Sequence, residues 1–144
     1  MQIERIDHLV LTVQNIQASC DFYAKILGMK AVAFQGGRKA VVFGNQKINF
    51  HESGKEFDPK ALRPTPGSAD LCFIVNDPLT KIVGHMDTCG VNIIEGPVQR
   101  TGAMGPMTSI YIRDPDQNLI EIAVYDRETP DRYEWSDSVL ESKT

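Results

Sequence analysis

Apolar and polar residues alternate along residues 6–13, the segment IDHLVLTV, with the two-residue period of a half-buried strand. Residues 16–27 then carry apolar side chains at helical spacing, and Gly28 follows where a helix commonly ends. Strand-like segments resume at residues 30–34, 38–43 and 47–51, and Gly44-Asn45 forms a hairpin-type turn before the last of them. The pattern predicts a βαβββ module over about residues 3–52.

The same pattern returns 62 positions later without a gap over some 25 residues. The shift matches Leu9, Leu11, Val13 and Gly28 with Leu71, Phe73, Val75 and Gly90. A second helix is expected at residues 79–89, and a second hairpin at 108–113 and 119–124. The sequence thus predicts an α+β fold of two paired βαβββ modules in a single domain, residues 1–126. The modules span about 3–52 and 68–126, a Gly/Pro-rich loop joins them, and residues 127–144 form a polar C-terminal tail. Two such sheets, paired, would enclose a cavity for a small molecule.

Polar residues occupy equivalent places on the strand faces that point away from the apolar rows. His8 corresponds to Asp70 under the same shift, and Asn49 corresponds to Glu121 when the last strands are matched. His51 lies on the same face, about 7 Å beyond Asn49. An isolated carboxylate at Glu121 would be costly, so we expect a cation, an arginine or hydrogen bonds to neutralise it.

Composition and charge argue against several classes of function. A net charge of −4 without a basic cluster argues against a nucleic-acid partner, and the apolar runs are too short to cross a membrane. The first residues, MQIERIDH, lack the apolar core of a signal peptide. Cys20, Cys72 and Cys89 have no metal-site or disulfide spacing, and we expect buried free thiols. These features predict a cytoplasmic protein.

Three segments together, IDHLVLTV, DFYAKILGM and RDPDQNLIEI, carry a resemblance to a known family. Over residues 3–126 the chain resembles the vicinal oxygen chelate superfamily and its glyoxalase I (lactoylglutathione lyase)-like members. The segments KINFHESGKEF, PTPGSADLCF and RTGAMGPMTSIYIRDPD are similar to a subgroup of small glyoxalase-domain proteins that includes bacterial virulence-associated ones. The resemblance implies the same fold of paired βαβββ modules.

The resemblance also implies one divalent metal ion, held by one side chain from each end of each module. The implied ligands are His8, Asp70 and Glu121, with Asn49 at the fourth position. Asn49 is a poor ligand, so His51 on the same face is the alternative. The residue types suit Ni²⁺, Zn²⁺, Mn²⁺, Co²⁺ or Fe²⁺ and do not choose among them. Structural alternatives remain open: Glu121 pairing with an arginine across the sheet, or Asp70 capping a backbone amide.

By this resemblance the substrate is the hemithioacetal of methylglyoxal and glutathione, and the product is S-lactoylglutathione. Glu121 is the expected ligand and acid/base, and His51 is a second candidate base. The candidate substrate contacts are Arg38, Asn49, Arg100, Tyr111 and Arg113. The resemblance further implies a homodimer. Three alternatives remain: an extradiol-type dioxygenase that binds iron through His8, His51 and Glu121, a thiol transferase, or a metal-free protein that binds a small ligand.

Overall fold

Each half of the chain folds as a strand, a helix and three further strands. The computed structural model describes residues 1–127. The first module contains β1 His8–Val13, α1 Ile16–Lys25, β2 Lys30–Phe34, a 3-10 turn Gln35–Gly37, β3 Arg38–Phe43 and β4 Gln46–Glu52. The second contains β5 Asp70–Ile74, α2 Leu79–Thr88, β6 Glu95–Gly102, β7 Gly105–Arg113 and β8 Leu119–Tyr125. The predicted α+β fold of two βαβββ modules is confirmed, and the predicted tail lies, from residue 128, outside the described residues.

The two modules form two four-stranded sheets of the same topology. Sheet A has the order β1-β4-β3-β2 and sheet B the order β5-β8-β7-β6, with the first strand of each parallel to the last. The register places His8 opposite Lys47 in sheet A and Asp70 opposite Leu119 in sheet B. The pseudo-symmetry inferred from the repeat is therefore present in the pairing itself.

Local sequence explains most of the boundaries. Asn15 caps α1 by accepting a hydrogen bond from the Ala18 N–H at 2.9 Å, and Gly28 follows the helix at φ +68°, a conformation that favours glycine. The backbones of β6 and β7 pair as far as Gly102 and Gly105, so β7 begins before residue 108, where the sequence pattern places the start of the second hairpin. A Cβ at Gly102 would lie 2.6 Å from the Tyr125 hydroxyl, so the Tyr125 side chain would have to move to accommodate any larger residue. Among residues 1–127 no helix is long and apolar enough to span a membrane.

The apolar rows of both sheets pack into one core together with the two helices. Leu11, Ile48 and Phe50 of sheet A and Ile110, Ile120 and Ile122 of sheet B belong to this single buried cluster. We call the side of each sheet that faces this cluster its back, and the opposite side its front. The fronts are open in one chain: Val10 at the front of β1 is 44% exposed and Ile74 at the front of β5 is 46% exposed. The expected cavity between paired polar faces is therefore not formed within the described part of a single chain.

The turn between β7 and β8 fastens the second module to the first. Asp114 is buried, and its Oδ2 accepts hydrogen bonds from the Tyr23 hydroxyl at 2.7 Å and from Asn118 Nδ2 at 2.8 Å. Its Oδ1 accepts from the N–H groups of Asp116 and Asn118 at 2.9 and 3.0 Å. Four donors satisfy this buried carboxylate, which is what its burial demands. Burial, followed by the charge of Asp114, raises the pKa of Tyr23 far above its ordinary value, so the phenol stays a donor.

The three cysteines differ in exposure. Cys20 is buried as expected, whereas Cys72 and Cys89 are exposed free thiols, which corrects the sequence-based expectation for those two. Cys72 is exposed because it lies on the open front of sheet B, in register with Glu121. His85 places Nε2 2.8 Å from the Ile26 carbonyl oxygen and so links α2 to the end of α1.

Candidate functional site

Glu121 lies at the centre of a hydrogen-bonded cluster on the front of sheet B. The register places it between Cys72 of β5 and Tyr111 of β7. The Ser109 hydroxyl donates to Glu121 Oε2 at 2.6 Å, and the Cys72 thiol and the Tyr111 hydroxyl lie close enough to feel the carboxylate electrostatically. The hydrogen bond that supports this carboxylate therefore comes from a neutral serine. Among the described residues, Glu121 forms no salt bridge with an arginine.

Arg100 supports this cluster from the next strand. Its Nε donates to the Tyr111 hydroxyl oxygen at 2.9 Å, while its other nitrogens bond with the Gln99 carbonyl at 3.0 Å and Glu95 at 3.3 Å. Because Arg100 donates to the phenol oxygen, the phenol proton is free to point toward Glu121. Partial burial raises the pKa of Tyr111, although Arg100 opposes the shift, so the phenol is protonated at neutral pH.

Arg113, the remaining arginine predicted on this sheet, lies away from the cluster. It is exposed, and its guanidinium donates to the Gln117 carbonyl at 3.2 Å. The register pairs it with Leu119, two residues from Glu121 along β8. Arg113 thus belongs to the same sheet front but supports the turn between β7 and β8.

Cys72 is perturbed by its position beside the carboxylate. Desolvation against the sheet is the largest cause, and the charge of Glu121 adds to it; together they raise the pKa of the Cys72 thiol to about 12. The thiol is therefore protonated at neutral pH and is a poor nucleophile.

The front of sheet A presents His8 and Asn49 in the equivalent places. His8 Nδ1 donates to Asp7 Oδ2 at 2.8 Å, a contact that fixes the tautomer and leaves Nε2 as the free ring nitrogen. This bond is also the largest cause that lowers the pKa of the Asp7 carboxyl. Asn49 Oδ1 is buried and has no hydrogen-bond partner among the described residues. An orphaned buried oxygen of this kind calls for an explanation, and a bound ligand or ion is one.

His51 lies further along the same front, beneath the loop that joins the modules. Its ring meets the ring of Phe57 edge-on, with 5.4 Å between the centroids, and the Arg38 guanidinium lies 4.2 Å from the centroid of Phe57. Burial, and secondarily the charge of Arg38, lower the pKa of His51, so its ring is neutral at pH 7. Glu56 opposes this shift without reversing it.

The register separates His51 from His8. His8 is opposite Lys47 on β4, and His51 is four residues further along that strand, about 13 Å away. Two ligands of one ion lie only a few ångströms apart, so these two histidines cannot share a metal ion. Asn49 is two residues from Lys47, as Glu121 is two residues from Leu119. The pairs His8/Asn49 and Asp70/Glu121 are therefore equivalent in position, one pair on each sheet.

Within one chain these pairs are not assembled. Across residues 1–127, no group of three or more histidine, cysteine, aspartate or glutamate side chains is arranged to hold a metal ion. The donor types themselves fit a divalent ion: one imidazole nitrogen with its second nitrogen hydrogen-bonded to a carboxylate, one orphaned amide oxygen, and two carboxylates.

Several contributors to these faces were not predicted from the sequence. Asp7 was not considered as the partner of His8, although an acidic neighbour of a candidate histidine was a usable signal. Phe57 and the basic residues of the loop at residues 53–68 were treated as a connector, because a Pro/Gly-rich segment carries no periodicity to orient its side chains.

Comparison with known proteins gives a consistent picture. Residues 5–122 match the family model described as the Glyoxalase/Bleomycin resistance protein/Dioxygenase superfamily. The chain is 58% identical over 125 residues to virulence protein STM3117 of Salmonella typhimurium, covering 87% of each chain, and the crystal structure of that protein superposes with a TM-score of 0.86, with 87% of this chain and 99% of the other covered.

Two further relatives carry different names. Glyoxalase domain-containing protein RDO1 of Mycosarcoma maydis is 52% identical over 87% of this chain and 70% of its own length. A lactoylglutathione lyase of Pseudomonas aeruginosa is 27% identical over 81% of this chain and 80% of its own length. The match over nearly the whole described chain, the two βαβββ modules and the 58% identical relative together place the protein: it belongs to the Glyoxalase/Bleomycin resistance protein/Dioxygenase superfamily.

Proposed function

We propose that the protein is a metal-dependent lyase that isomerises the hemithioacetal of methylglyoxal and glutathione to S-lactoylglutathione, and thereby detoxifies methylglyoxal. The observation that carries the proposal is Glu121, a carboxylate held by the Ser109 hydroxyl between Cys72 and Tyr111 on an open sheet front. An acid/base must be held within hydrogen-bond reach of the atoms it serves, and a strand position with a 2.6 Å hydrogen bond from Ser109 supports that positioning. The more distant likeness to a lactoylglutathione lyase supports the choice of reaction.

The residues that would hold the metal ion are His8 and Asn49 from sheet A and Asp70 and Glu121 from sheet B. A divalent ion held by this set would act as a Lewis acid toward two neighbouring substrate oxygens. Asn49 rather than His51 fills the fourth position in the proposal, because the register separates His51 from His8 by about 13 Å. The nitrogen and oxygen donors suit Zn²⁺, Ni²⁺, Co²⁺, Mn²⁺ or Fe²⁺.

Glu121 would move the proton. Its carboxylate takes the proton from the carbon that bears sulfur and returns it to the adjacent carbon. The hydroxyl proton of the first carbon passes to the oxygen of the second, so the substrate is isomerised with no atom gained or lost. Ser109 and the protonated Tyr111 keep the carboxylate in place during both transfers, and Arg100 keeps the Tyr111 proton directed toward Glu121. His51, neutral at pH 7, remains the second candidate base.

We further propose that the site is completed between two copies of the chain, the front of sheet A meeting the front of sheet B of a second copy. Three observations support this arrangement. Both fronts are open in one chain, and the edge strands β1 and β5 expose the apolar side chains of Val10 and Ile74. The front of sheet A carries the cations Lys30, Arg38 and Lys47 and, along its described strands, no carboxylate. The front of sheet B carries three carboxylates, Asp70, Glu95 and Glu121, against two cations, Arg100 and Arg113, so the net charges of the two fronts are opposite in sign.

The test is turnover of methylglyoxal–glutathione hemithioacetal by protein stripped of metal and reloaded in turn with Ni²⁺, Zn²⁺, Co²⁺, Mn²⁺ and Fe²⁺. We expect metal-dependent turnover that Glu121→Gln reduces at least about a thousandfold, as loss of a general base does. The matched control is Glu4→Gln, an exposed carboxylate outside both fronts, which should leave turnover unchanged. Absence of turnover with every metal would refute the reaction while leaving the fold and family untouched.

A second candidate function is metal-free binding of a small ligand, favoured by the neutral amide of Asn49 in a ligand position. It predicts ligand binding without bound metal and without turnover. The dioxygenase alternative with His8, His51 and Glu121 receives no support, because the two histidines lie too far apart along β4 to share an iron ion.

A further inference from the structure

A cavity lies at the end of sheet A, beneath the loop that joins the modules. Its volume is about 390 Å³, within the range of small-molecule sites. The floor is formed by the front of β1 and β4 through Val10, Thr12 and His51, and the cover by the loop, including Lys60 and Arg63. Its floor therefore belongs to the same sheet front that carries His8 and Asn49.

His51 is the polar group at the floor of this cavity. The residue is only 8% exposed, and the ring of Phe57 packs edge-on against its imidazole. The imidazole lines the cavity without a hydrogen bond to another residue of the described chain, and its ring nitrogens remain accessible, so an N–H of the ring is available to a ligand that enters.

The charges around the cavity have one sign. The lining includes Lys60 and Arg63, and within the described chain it contains no carboxylate. Neither cation has an ion-pair partner within 4.0 Å among residues 1–127, and Glu56 interacts with Lys60 only at longer range. The side chain of Arg38, on the same side of the sheet, stacks on Phe57 and is likewise unpaired with an acid in the described part of the chain.

We infer that this cavity is a binding subsite for an oxyanion group of the substrate, a carboxylate or a phosphate, held by Arg63 and Lys60 with His51 donating an N–H. The inference rests on the proposed function, since it assigns the substrate of that site to the class of anionic molecules. Arginine and lysine on a partly enclosed surface are the side chains that recognise such groups through charge-assisted hydrogen bonds.

The register also predicts the distance between the reacting part of the substrate and its anionic group. His51 is two residues from Asn49 on β4, about 7 Å along the strand. A substrate that reacts beside Asn49 and Glu121 would therefore carry its anionic group about two residues further along the strand, roughly 7 Å away. A neutral molecule of the same shape would leave both cations and the imidazole without partners, and it should bind more weakly.

The test uses metal-free full-length protein, so its outcome does not depend on turnover. Succinate and inorganic phosphate are titrated separately into isotope-labelled protein, and binding is followed through the backbone and imidazole NMR signals. We expect at least one anion to bind with a dissociation constant of about 1 mM or tighter and to shift the signals of His51 and residues 59–68. The tighter of the two identifies the oxyanion.

Lys60→Gln and Arg63→Gln should each weaken binding about tenfold or more, the effect of losing one charge-assisted hydrogen bond. Lys55→Gln is the matched control, because Lys55 is exposed in the same loop but pairs with Glu52 and lies outside the cavity lining. All three residues lie at the surface loop, so folding should be retained, and thermal unfolding verifies it.

Two results would overturn the inference. One is no binding of either anion at 20 times the expected dissociation constant of about 1 mM. The other is equal anion affinity for the Lys60→Gln, Arg63→Gln and Lys55→Gln variants. Metal-dependent turnover without anion binding would refute this subsite alone. Anion binding without turnover would refute the proposed reaction and leave the subsite standing.

Discussion

The reactivity of Cys72 offers a quantitative test of the Glu121 cluster. The thiol is exposed, so its geometry alone predicts ready alkylation. Desolvation and the neighbouring Glu121 charge both disfavour the thiolate, which raises the pKa from an ordinary 9.0 to about 12. Since only the thiolate reacts, the folded protein should protect this exposed cysteine.

The expected protection follows from two opposing effects. At pH 8 a thiol of pKa 12 is about 10⁻⁴ ionised, against about 10⁻¹ for an ordinary thiol, a loss of roughly a thousandfold. A more basic thiolate is the better nucleophile, and a Brønsted coefficient near 0.45 over three pKa units recovers about twentyfold. The net prediction is alkylation about 50-fold slower in the folded protein than in the urea-unfolded chain.

The assay is iodoacetamide labelling at pH 8, with peptide mapping by mass spectrometry to follow Cys72 separately from Cys20 and Cys89. Glu121→Gln removes the charge but not the desolvation, so it should accelerate Cys72 several-fold without restoring the unfolded rate. In the folded wild type the alkylation rate should keep rising tenfold per pH unit up to about pH 11. A thiol of ordinary pKa that is only shielded sterically would instead stop gaining rate near pH 9.0. Alkylation of folded Cys72 within threefold of the unfolded rate would refute the reasoning.

Three further predictions concern stability and assembly. Tyr23→Phe removes one of four donors to the buried Asp114 carboxylate and should lower the free energy of unfolding by about 1.5–3 kcal/mol in urea. Gly96→Ala should destabilise the protein by about 1–3 kcal/mol, because φ is +108° there and a Cβ would lie 2.5 Å from the Ser109 carbonyl oxygen. Gly84→Ala should instead stabilise it by about 0.5–1 kcal/mol, because Gly84 lies within α2 and an added Cβ would enter open space. Val10→Asp on the β1 edge should convert a dimer into a monomer in light scattering at micromolar concentration.

Controls separate these effects from general damage. Tyr125→Phe removes a hydroxyl that accepts a neutral bond from Met104 N–H, so its cost should stay near or below about 1 kcal/mol. Leu62→Asp changes a side chain that is 93% exposed in the connecting loop, and it should leave the dimer intact. Equal costs for the two tyrosine variants, or a monomeric wild type, would contradict the corresponding prediction.

The fold was predictable because its periodicities are local. Alternating apolar residues, an N-terminal cap at Asn15 and a helix-ending glycine at Gly28 specify elements within a few residues, and the 62-residue repeat supplies the pairing by symmetry. The ends of β6 and β7 were less predictable, because the backbone pairing extends through Gly102 and Gly105. Glycine has no side chain that could show the alternation of a strand.

The candidate site was predictable in its residue types but not in its assembly. The face shared by His8, Asn49 and His51 follows from the two-residue period of a strand. The offset between β1 and β4, which separates His51 from His8, depends on how the crossover packs, and periodicity does not encode it. Whether two fronts meet within a chain or between chains depends on which sheet faces the core buries. Here the core buries the backs of both sheets.

The most direct test of the central claim mixes two inactive chains. If each site takes His8 from one copy and Glu121 from the other, His8→Ala and Glu121→Gln chains should each bind little metal alone. Unfolded together and refolded, half of the dimers would be mixed, and each mixed dimer would contain one intact site, so bound metal and turnover should recover to about a quarter of the wild-type value. Recovery to that level supports a shared metal site; no recovery from a mixture that has demonstrably formed mixed dimers contradicts it.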